Sequence, residues 1–422
     1  MTTEQPQLTE RQITKEDPLT IALILQQHIT DSRGILRLRP AWIAHDFLEA
    51  GYRLGLSESE YDAGERGTIM ERWLCSETHA ENRIDDPREG FSYLEIDGHD
   101  ISVAEAVAAV PELIMGADYA RGHSNLGRLV KIFDFGTRLF FHYHQREEHL
   151  RSQGKTPKDE AYHFLDAPLG DHPESFFGVQ RYLVEQGLHY DAFLPILENW
   201  QGGETEVLKY STGFVNVPGE GFFIDSGILH APGTALTLEI QEPSDVGAIL
   251  QPEVQGHPIP DSMLLKDVAP ESVAEAGVRA VLDQVDWEAS SDPRFFENRH
   301  LYPQPVEETR QGELYEEWIF YGTRKFSGKR LTLRPGQQFR SVEEGVHSIL
   351  VWRGEGIIGS EPVQAGAFDL TSCRDELLVI HETAVAGYSI VNTGEVDLVV
   401  FKFFGPDMNL TTAPPAGHRM SK

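Results

Sequence analysis

Three histidines and a glutamate in the first 230 residues have the types and spacing of a metal site. His142 and His144 alternate at the end of an apolar stretch, Glu160 begins another, and His230 follows a third after a glycine turn. Residues two apart in a strand lie on the same face, so both members of the His-x-His pair can reach one ion. Imidazole and carboxylate ligands with an open coordination position suit zinc, manganese, iron or nickel. The pattern therefore predicts one divalent metal ion.

A second carboxylate competes with Glu160 for the fourth ligand position. Glu148 follows His144 at a spacing that also suits a metal site. The segment after Glu148, HLRSQGKTPKD, is polar, contains Gly and Pro and lacks strand alternation, whereas Glu160 opens a clear strand. Because a ligand is held most precisely on a rigid element, we expect Glu160 to be the ligand.

Helices interrupt the sequence at three places. Ser102 with Glu105 and Ser272 with Glu275 have the spacing of capping boxes, which predicts a helix start at each serine. Apolar residues between about 172 and 200 recur at loosely helical intervals. Near the N-terminus, the apolar stretch LTIALILQQHI fits either a helix or a strand.

Most of the remaining sequence consists of short apolar stretches separated by Gly and Pro turns, a pattern typical of β-barrels and sandwiches. Two histidines, a carboxylate and a distant histidine, in that order, are typical of a cupin barrel. We therefore predict a mainly β fold with two cupin (jelly-roll) domains, helical insertions and a helical connector. The expected boundaries are an N-terminal arm (1–45), a metal-binding cupin domain (46–265), the connector (266–310) and a C-terminal cupin-like domain without a metal site (311–422).

The composition excludes several classes of partner. The 422 residues include 36 basic and 67 acidic ones, a formal net charge of −31, which disfavours nucleic acid and anionic membranes. Cys75 and Cys373 cannot build a disulfide framework. No apolar stretch approaches the roughly 20 residues that span a bilayer, and the N-terminus lacks signal-peptide order. We expect a cytoplasmic protein that acts on a small molecule.

The sequence resembles the class I mannose-6-phosphate isomerases, zinc-dependent members of the cupin superfamily. The resemblance runs from about 65 to 266 and is weaker in the C-terminal barrel. Three stretches carry it: TIMERWLCSETHAENR, GRLVKIFDFGTRLFFHYH with GKTPKDEAYHFL, and PGEGFFIDSGILHAPGTALTLEIQEPSD. It implies isomerisation of a sugar or sugar phosphate between aldose and ketose through a cis-enediol, with zinc as the expected metal.

The resemblance implies the same four metal ligands and adds two catalytic candidates. The family usually has Gln at the first ligand position, so His142 is a departure. Lys158, two residues before Glu160, matches a lysine that is associated with the active site of the family. Glu239 matches an acidic residue on the strand after the last ligand.

A second departure concerns the substrate. The family places an essential arginine a few residues after a Ser-Asp pair, where this sequence reads SDVGAIL with Ile249 at about that position. Loss of this cation removes a partner for substrate oxygens. Two alternatives therefore stay open: another metal-dependent cupin enzyme (a lyase, epimerase or oxygenase) on a sugar-derived substrate, or a non-catalytic carbohydrate-binding bicupin.

Overall fold

The computed structural model describes residues 17–203 and 206–414. The strands are β1 (Ile35–Arg39), β2 (Ala41–His45), β3 (Thr68–Leu74), β4 (Tyr93–Leu94), β5 (Leu129–Phe133), β6 (His142–Tyr143), β7 (Glu160–Phe164), β8 (Glu174–Phe177), β9 (Thr212–Val215), β10 (Gly221–Ile224), β11 (His230–Ala231), β12 (Thr237–Gln241), β13 (Ala248–Ile249), β14 (Glu253–Val254), β15 (His257–Pro258), β16 (His300–Leu301), β17 (Gln304–Gln311), β18 (Leu314–Phe320), β19 (Ser327–Leu333), β20 (Gln338–Ser341), β21 (His347–Arg353), β22 (Glu355–Ile358), β23 (Glu361–Gln364), β24 (Glu376–Val379), β25 (Tyr388–Asn392) and β26 (Leu398–Phe404).

The α-helices are short. They are α1 (Pro18–Asp31), α2 (Val103–Ala109), α3 (Pro111–Met115), α4 (Ala117–Gly122), α5 (Glu147–Leu150), α6 (Arg181–Glu185), α7 (His189–Glu198), α8 (Asp261–Leu264), α9 (Pro270–Ala276), α10 (Arg279–Asp283), α11 (Trp287–Ser290), α12 (Phe295–Arg299) and α13 (His381–Ala386). Short 3₁₀ helices lie at Glu58–Glu60, Gly64–Arg66, Arg151–Gln153, Trp200–Gly202 and Glu206–Tyr210. None of these helices has the length and apolar character that crossing a lipid bilayer requires.

The first barrel is built from a seven-stranded sheet, β16-β10-β7-β12-β5-β3-β2, and a five-stranded sheet, β13-β6-β11-β8-β9. Aromatic side chains of both sheets share one core, in which Phe177 of β8 meets Phe222 of β10 with ring centroids 4.7 Å apart. The strands pair antiparallel, as in a jelly roll. The fold is therefore mainly β, as predicted.

The second barrel combines an eight-stranded sheet, β17-β18-β19-β26-β21-β24-β1-β4, with a four-stranded sheet, β20-β25-β22-β23. Its core contains apolar side chains of both sheets. Strand β1 lies in the segment expected to be an N-terminal arm, and it pairs with β24 through Ile35 and Val379. The described part of that segment also contains α1, so the open choice for LTIALILQQHI is resolved as a helix.

The capping boxes have different outcomes. The Ser102 side chain accepts a hydrogen bond from the Glu105 backbone N–H, and α2 starts there as predicted. The prediction for Ser272 is wrong, because α9 begins at Pro270 with Ala269 as the N-cap residue. A proline at the first helical position fixes φ in the helical range and so sets an earlier start.

The region from 172 to 200 is only partly helical. Strand β8 occupies its first part, and α6 and α7 follow. Phe193 of α7 packs with Tyr143 of β6 and Val281 of α10 in one buried cluster. These helices therefore cover the five-stranded sheet that carries two of the predicted metal ligands.

Candidate metal centre

The three predicted histidine ligands lie together inside the first barrel. His142 of β6 and His230 of β11 are directly paired in the antiparallel ladder, and their ring centroids are 4.1 Å apart. The ring of His144 lies 5.0 Å from that of His142. One nitrogen of each ring lies within 4.8 Å of the other two, and all three side chains are buried. Among the residues that the structure describes, this is the one such cluster of His, Cys, Asp or Glu.

The hydrogen bonds of these histidines fix the ring nitrogen that faces the cluster. Each Nδ1 lies 2.7–2.9 Å from a backbone carbonyl oxygen, that of Phe140 for His142, Val246 for His144 and Ile228 for His230. Because a carbonyl oxygen can only accept, Nδ1 carries the proton and donates it. In the neutral form of each ring, Nε2 then keeps a free lone pair, which is the arrangement that metal-binding histidines use.

Glu160 completes the cluster at the start of β7. Its Oε2 lies 3.0 Å from Nε2 of His144, and its Oε1 lies 2.9 Å from Nε2 of His230. Tyr162 donates a hydrogen bond to Oε1 of the same carboxylate. The Nε2 atoms of His144 and His230 and Oε2 of Glu160 are buried without a hydrogen-bond partner. Such orphaned atoms are costly unless another group satisfies them, and a divalent cation fits this donor set.

The structure places the rival carboxylate elsewhere. Glu148 lies in the short helix α5, its side chain is 54% exposed, and its Oε1 pairs with the Arg146 guanidinium at 3.1 Å. The position of Glu160 on the barrel wall follows from the apolar strand that it opens. The geometry thus favours Glu160 over Glu148 as the fourth ligand.

Burial controls the charge of the cluster. It lowers the pKa of His144 to about 4, and that of His142 well below its usual value, so both rings are neutral at pH 7. Burial alone would raise the pKa of Glu160, but the neighbouring Lys158 ammonium opposes this and holds it well below its usual value. Neutral imidazoles beside an ionised carboxylate are the protonation states that metal ligation requires.

Both predicted catalytic residues adjoin the cluster. The Lys158 Nζ lies 3.2 Å from Oε2 of Glu160 and 3.6 Å from Oε1 of Glu239. Burial raises the pKa of Glu239 to about 8, although the ammonium groups of Lys131 and Lys158 oppose the shift. Glu239 can therefore exchange between its protonated and ionised forms near neutral pH.

Sequence reasoning missed the continuation of this network. Lys131 of β5 lies between Glu239 and Glu71, with its Nζ 3.6 and 3.4 Å from their carboxylate oxygens. His45 at the end of β2 lies 3.4 Å from Glu71. The available signal was a charged residue inside an apolar strand, the lysine in GRLVKIF, because a buried charge requires a partner.

A cavity of about 130 Å³ adjoins these groups and is lined by the rings of His142 and His144 and by Lys158. Ile249 also lines it, on a strand paired with β6 at His142. No arginine of the described residues lines this cavity. Its two further lysines are Lys131, 3.4 Å from a Glu71 oxygen, and Lys266, 3.8 Å from an Asp245 oxygen. Ile249, the residue expected at the position of the family's arginine, thus lines the cavity beside the candidate site.

The second barrel has a different interior. His347 lies 2.7 Å from the Tyr388 hydroxyl through Nε2, and its Nδ1 donates to the Gly345 carbonyl oxygen. Buried beside it, the Lys402 ammonium bonds to the carboxylates of Glu316 and Glu343. An internal ion cluster therefore occupies the part of this barrel near His347.

Several solved structures share the whole architecture. Mannose 6-phosphate isomerase from Bacillus subtilis aligns over 87% of this chain and 99% of its own, with 13% identity and a TM-score of 0.57. An alanine variant of phosphomannose isomerase from Salmonella typhimurium aligns over 88% and 100%, with 11% identity and a TM-score of 0.59. A zinc-bound mannose 6-phosphate isomerase aligns over 88% of this chain and 100% of its own, with 11% identity and a TM-score of 0.58.

The chain has the fold of the mannose-6-phosphate isomerases. No family model matches the sequence, and no curated protein matches it either. At 11–13% identity the likeness concerns the fold, and the substrate must be argued from the site itself. The histidine cluster and the zinc-bound neighbour together support a divalent metal ion.

Proposed function

We propose that the protein is a metal-dependent aldose–ketose isomerase of sugars or sugar phosphates that works through a cis-enediol. One observation carries the proposal: Nε2 lone pairs of three buried histidines converge with the Glu160 carboxylate beside a cavity. The shared fold with mannose-6-phosphate isomerases supports the reaction class.

His142, His144, Glu160 and His230 would hold the metal, and three nitrogens with one carboxylate suit zinc, while manganese, iron and nickel also accept this set. The bound ion would polarise the carbonyl and hydroxyl oxygens of the substrate and so acidify the carbon-bound proton. We place no other cofactor in the site.

The residues around the ion would move the protons. Removal of the carbon-bound proton requires an unprotonated base: Glu239, whose pKa lies at about 8, would in its ionised form accept that proton from one carbon and return it to the neighbouring carbon. The Lys158 ammonium, 3.6 Å from Glu239, would donate a hydrogen bond to a substrate oxygen. The Tyr162 hydroxyl orients Glu160 by donating to Oε1. Exclusion of water by the buried surroundings would strengthen each of these interactions.

The lining of the cavity supports a second candidate. Ile249 faces the cavity, and the lysines that line it lie within 4 Å of carboxylates. A phosphate group would therefore find few free cations. This favours, as the alternative, a metal-dependent cupin reaction or binding function with an unphosphorylated sugar derivative.

Two matched glutamate variants test the proposal. Elemental analysis of the untagged, chelator-free protein should give about one divalent ion per chain, and NMR should detect interconversion of an aldose and its ketose. Glu160→Gln and His230→Ala should lose both the metal and turnover, whereas Glu148→Gln should retain both. Unchanged turnover in His230→Ala would refute the proposal. Dependence of turnover on iron and dioxygen would favour the alternative.

A further inference from the structure

A second cavity, of about 460 Å³, lies between the two barrels. The first barrel contributes the end of β7, the residues after it and Gly219, and the second contributes residues of β19, β21 and β26. None of its lining residues lines the cavity of the candidate metal centre. Its volume falls within the range of about 300–1,000 Å³ that is typical of small-molecule sites.

His163 supplies a buried polar group that points to a ligand. The side chain is 3% exposed and lines the cavity, and neither ring nitrogen has a hydrogen-bond partner among residues 17–203 and 206–414. Burial and the nearby Arg330 lower the pKa of His163 to about 3, so the ring is neutral and offers one donor and one acceptor. His163 lies three residues after Glu160 on β7, so the two side chains face opposite sides of the strand.

The charges around this cavity balance. Arg330 is already bonded to Glu317 through Nε and Nη2, at 3.0 and 2.8 Å. Arg353 and Asp166 are exposed at the cavity and have opposite charges, and neither has an ion-pair partner within the described part of the chain. The lining thus combines donors and acceptors without a net charge, which matches a neutral ligand rich in hydroxyl groups better than an anion.

Apolar surface is also available. Trp352 is half-buried at the cavity, and Phe401 and Val399 line the wall formed by β26. An indole ring provides a large flat apolar surface with a polar edge. We propose that this inter-barrel cavity is a second ligand site that binds a neutral mono- or disaccharide, with Trp352 against the apolar face of the sugar and with its hydroxyl groups bonded to His163, Asp166 and Arg353.

The test separates this site from the candidate metal centre. The full-length His230→Ala chain, stripped of metal, is titrated with mannose, glucose, fructose and maltose by calorimetry and by saturation-transfer NMR. At least one sugar should bind with a stoichiometry of one. Added to this background, Arg353→Gln and His163→Phe should each weaken binding at least tenfold. Arg374→Gln, an exposed arginine outside the cavity, is the matched control and should bind as the background does.

Three results would overturn the proposal. The first is that none of these sugars binds. The second is that the Arg353→Gln and Arg374→Gln chains bind the sugar equally well. The third is that inorganic phosphate displaces the bound sugar at a lower concentration than the free sugar does. Thermal unfolding of His163→Phe checks that this variant is folded. If it is not folded, the binding measured for Arg353→Gln, at an exposed position, decides the test. Because no readout uses turnover or metal, the outcome is independent of the proposed isomerase activity.

Discussion

At the scale of single residues, the hydrogen bonds behind the histidines matter as much as the histidines themselves. The backbone carbonyl oxygens that accept from Nδ1 fix both the tautomer and the ring orientation of all three side chains. Such pre-organisation means that the chain pays little entropy when an ion binds. Replacement of one of these histidines should therefore lower the affinity for the metal ion strongly, even where the new side chain can also bind a metal.

His142→Gln tests this at the position where the sequence resemblance to class I mannose-6-phosphate isomerases leads us to expect a glutamine. The amide can still ligate through oxygen, but it loses the hydrogen bond that Nδ1 donates to Phe140. We expect metal affinity to fall by roughly 10- to 100-fold, measured by competition with a chromogenic chelator. His257→Gln, at a half-exposed histidine of the same half of the chain, should leave affinity unchanged. Equal affinities would show that the imidazole at 142 is not a ligand.

Burial of Glu376 gives a pH-dependent prediction. Burial, opposed by Arg72, raises the pKa of this carboxyl from 4.5 to about 7. Between these pH values the folded chain keeps a proton that the unfolded chain has lost, so this contribution to the free energy of unfolding falls as pH rises from 4.5 to 7. Glu376→Gln removes the titration and can still accept from the Cys75 N–H.

The parent should therefore lose stability relative to Glu376→Gln as the pH rises. The difference in free energy of unfolding, variant minus parent, should increase by up to about 3 kcal/mol between pH 4.5 and 8. Urea unfolding at four pH values measures it. Glu382→Gln, at an exposed position in α13, should show no such trend. A pH-independent difference for Glu376→Gln would contradict the assigned pKa.

At the scale of elements, two serines with the same sequence signature behave differently. Ser102 caps α2 and exchanges hydrogen bonds with Glu105, whereas Ser272 lies inside α9. We expect Ser102→Ala to lower the free energy of unfolding by about 1 kcal/mol, as measured by urea denaturation. Ser272→Ala should be neutral or slightly stabilising, because alanine has the higher helix propensity. Equal losses in both variants would mean that both serines act as caps.

Local patterns predicted the elements that carry the site, and they failed where distant segments determine the structure. The His-x-His alternation and the strand that begins at Glu160 are properties of a few neighbouring residues, and the structure brings those side chains together. The ion pairs of Lys131 with Glu71 and Glu239 join three separate strands. No spacing in the sequence encodes their register, so only the assembled sheet reveals them.

At the scale of the whole molecule, one apolar cluster joins the two barrels in addition to the core of each. A single buried cluster contains Ala161 and Leu238 of the first barrel together with Trp318, Phe320 and Phe401 of the second. The alternating strands predicted a mainly β architecture, but they could not predict that β1 crosses to the second barrel. Its partner β24 lies more than 300 residues away along the chain, and tertiary pairing rather than local propensity selects it.

A buried ion group joins the barrels at the same interface. Arg72 of β3 in the first barrel donates to Asp375 through both terminal nitrogens, at 2.9 and 2.7 Å, and to Glu376 of β24 at 3.1 Å. All three side chains are at most 3% exposed. Removal of the guanidinium would leave the Asp375 carboxylate and the Glu376 carboxyl group buried without their cation, which is more costly than losing an exposed pair.

We therefore expect Arg72→Met, which keeps the apolar stem, to lower the free energy of unfolding by about 3–5 kcal/mol. Calorimetry and urea denaturation followed by tryptophan fluorescence measure this loss. Arg310→Gln, which breaks an exposed pair with Glu307, is the control and should unfold like the parent. Because an apolar cluster and this ion group both join the barrels, the parent should unfold in one transition, and Arg72→Met should lower the stability of both barrels together. A separate early transition of one barrel in the parent, or an Arg72→Met chain as stable as the control, would show that this interface does not couple them.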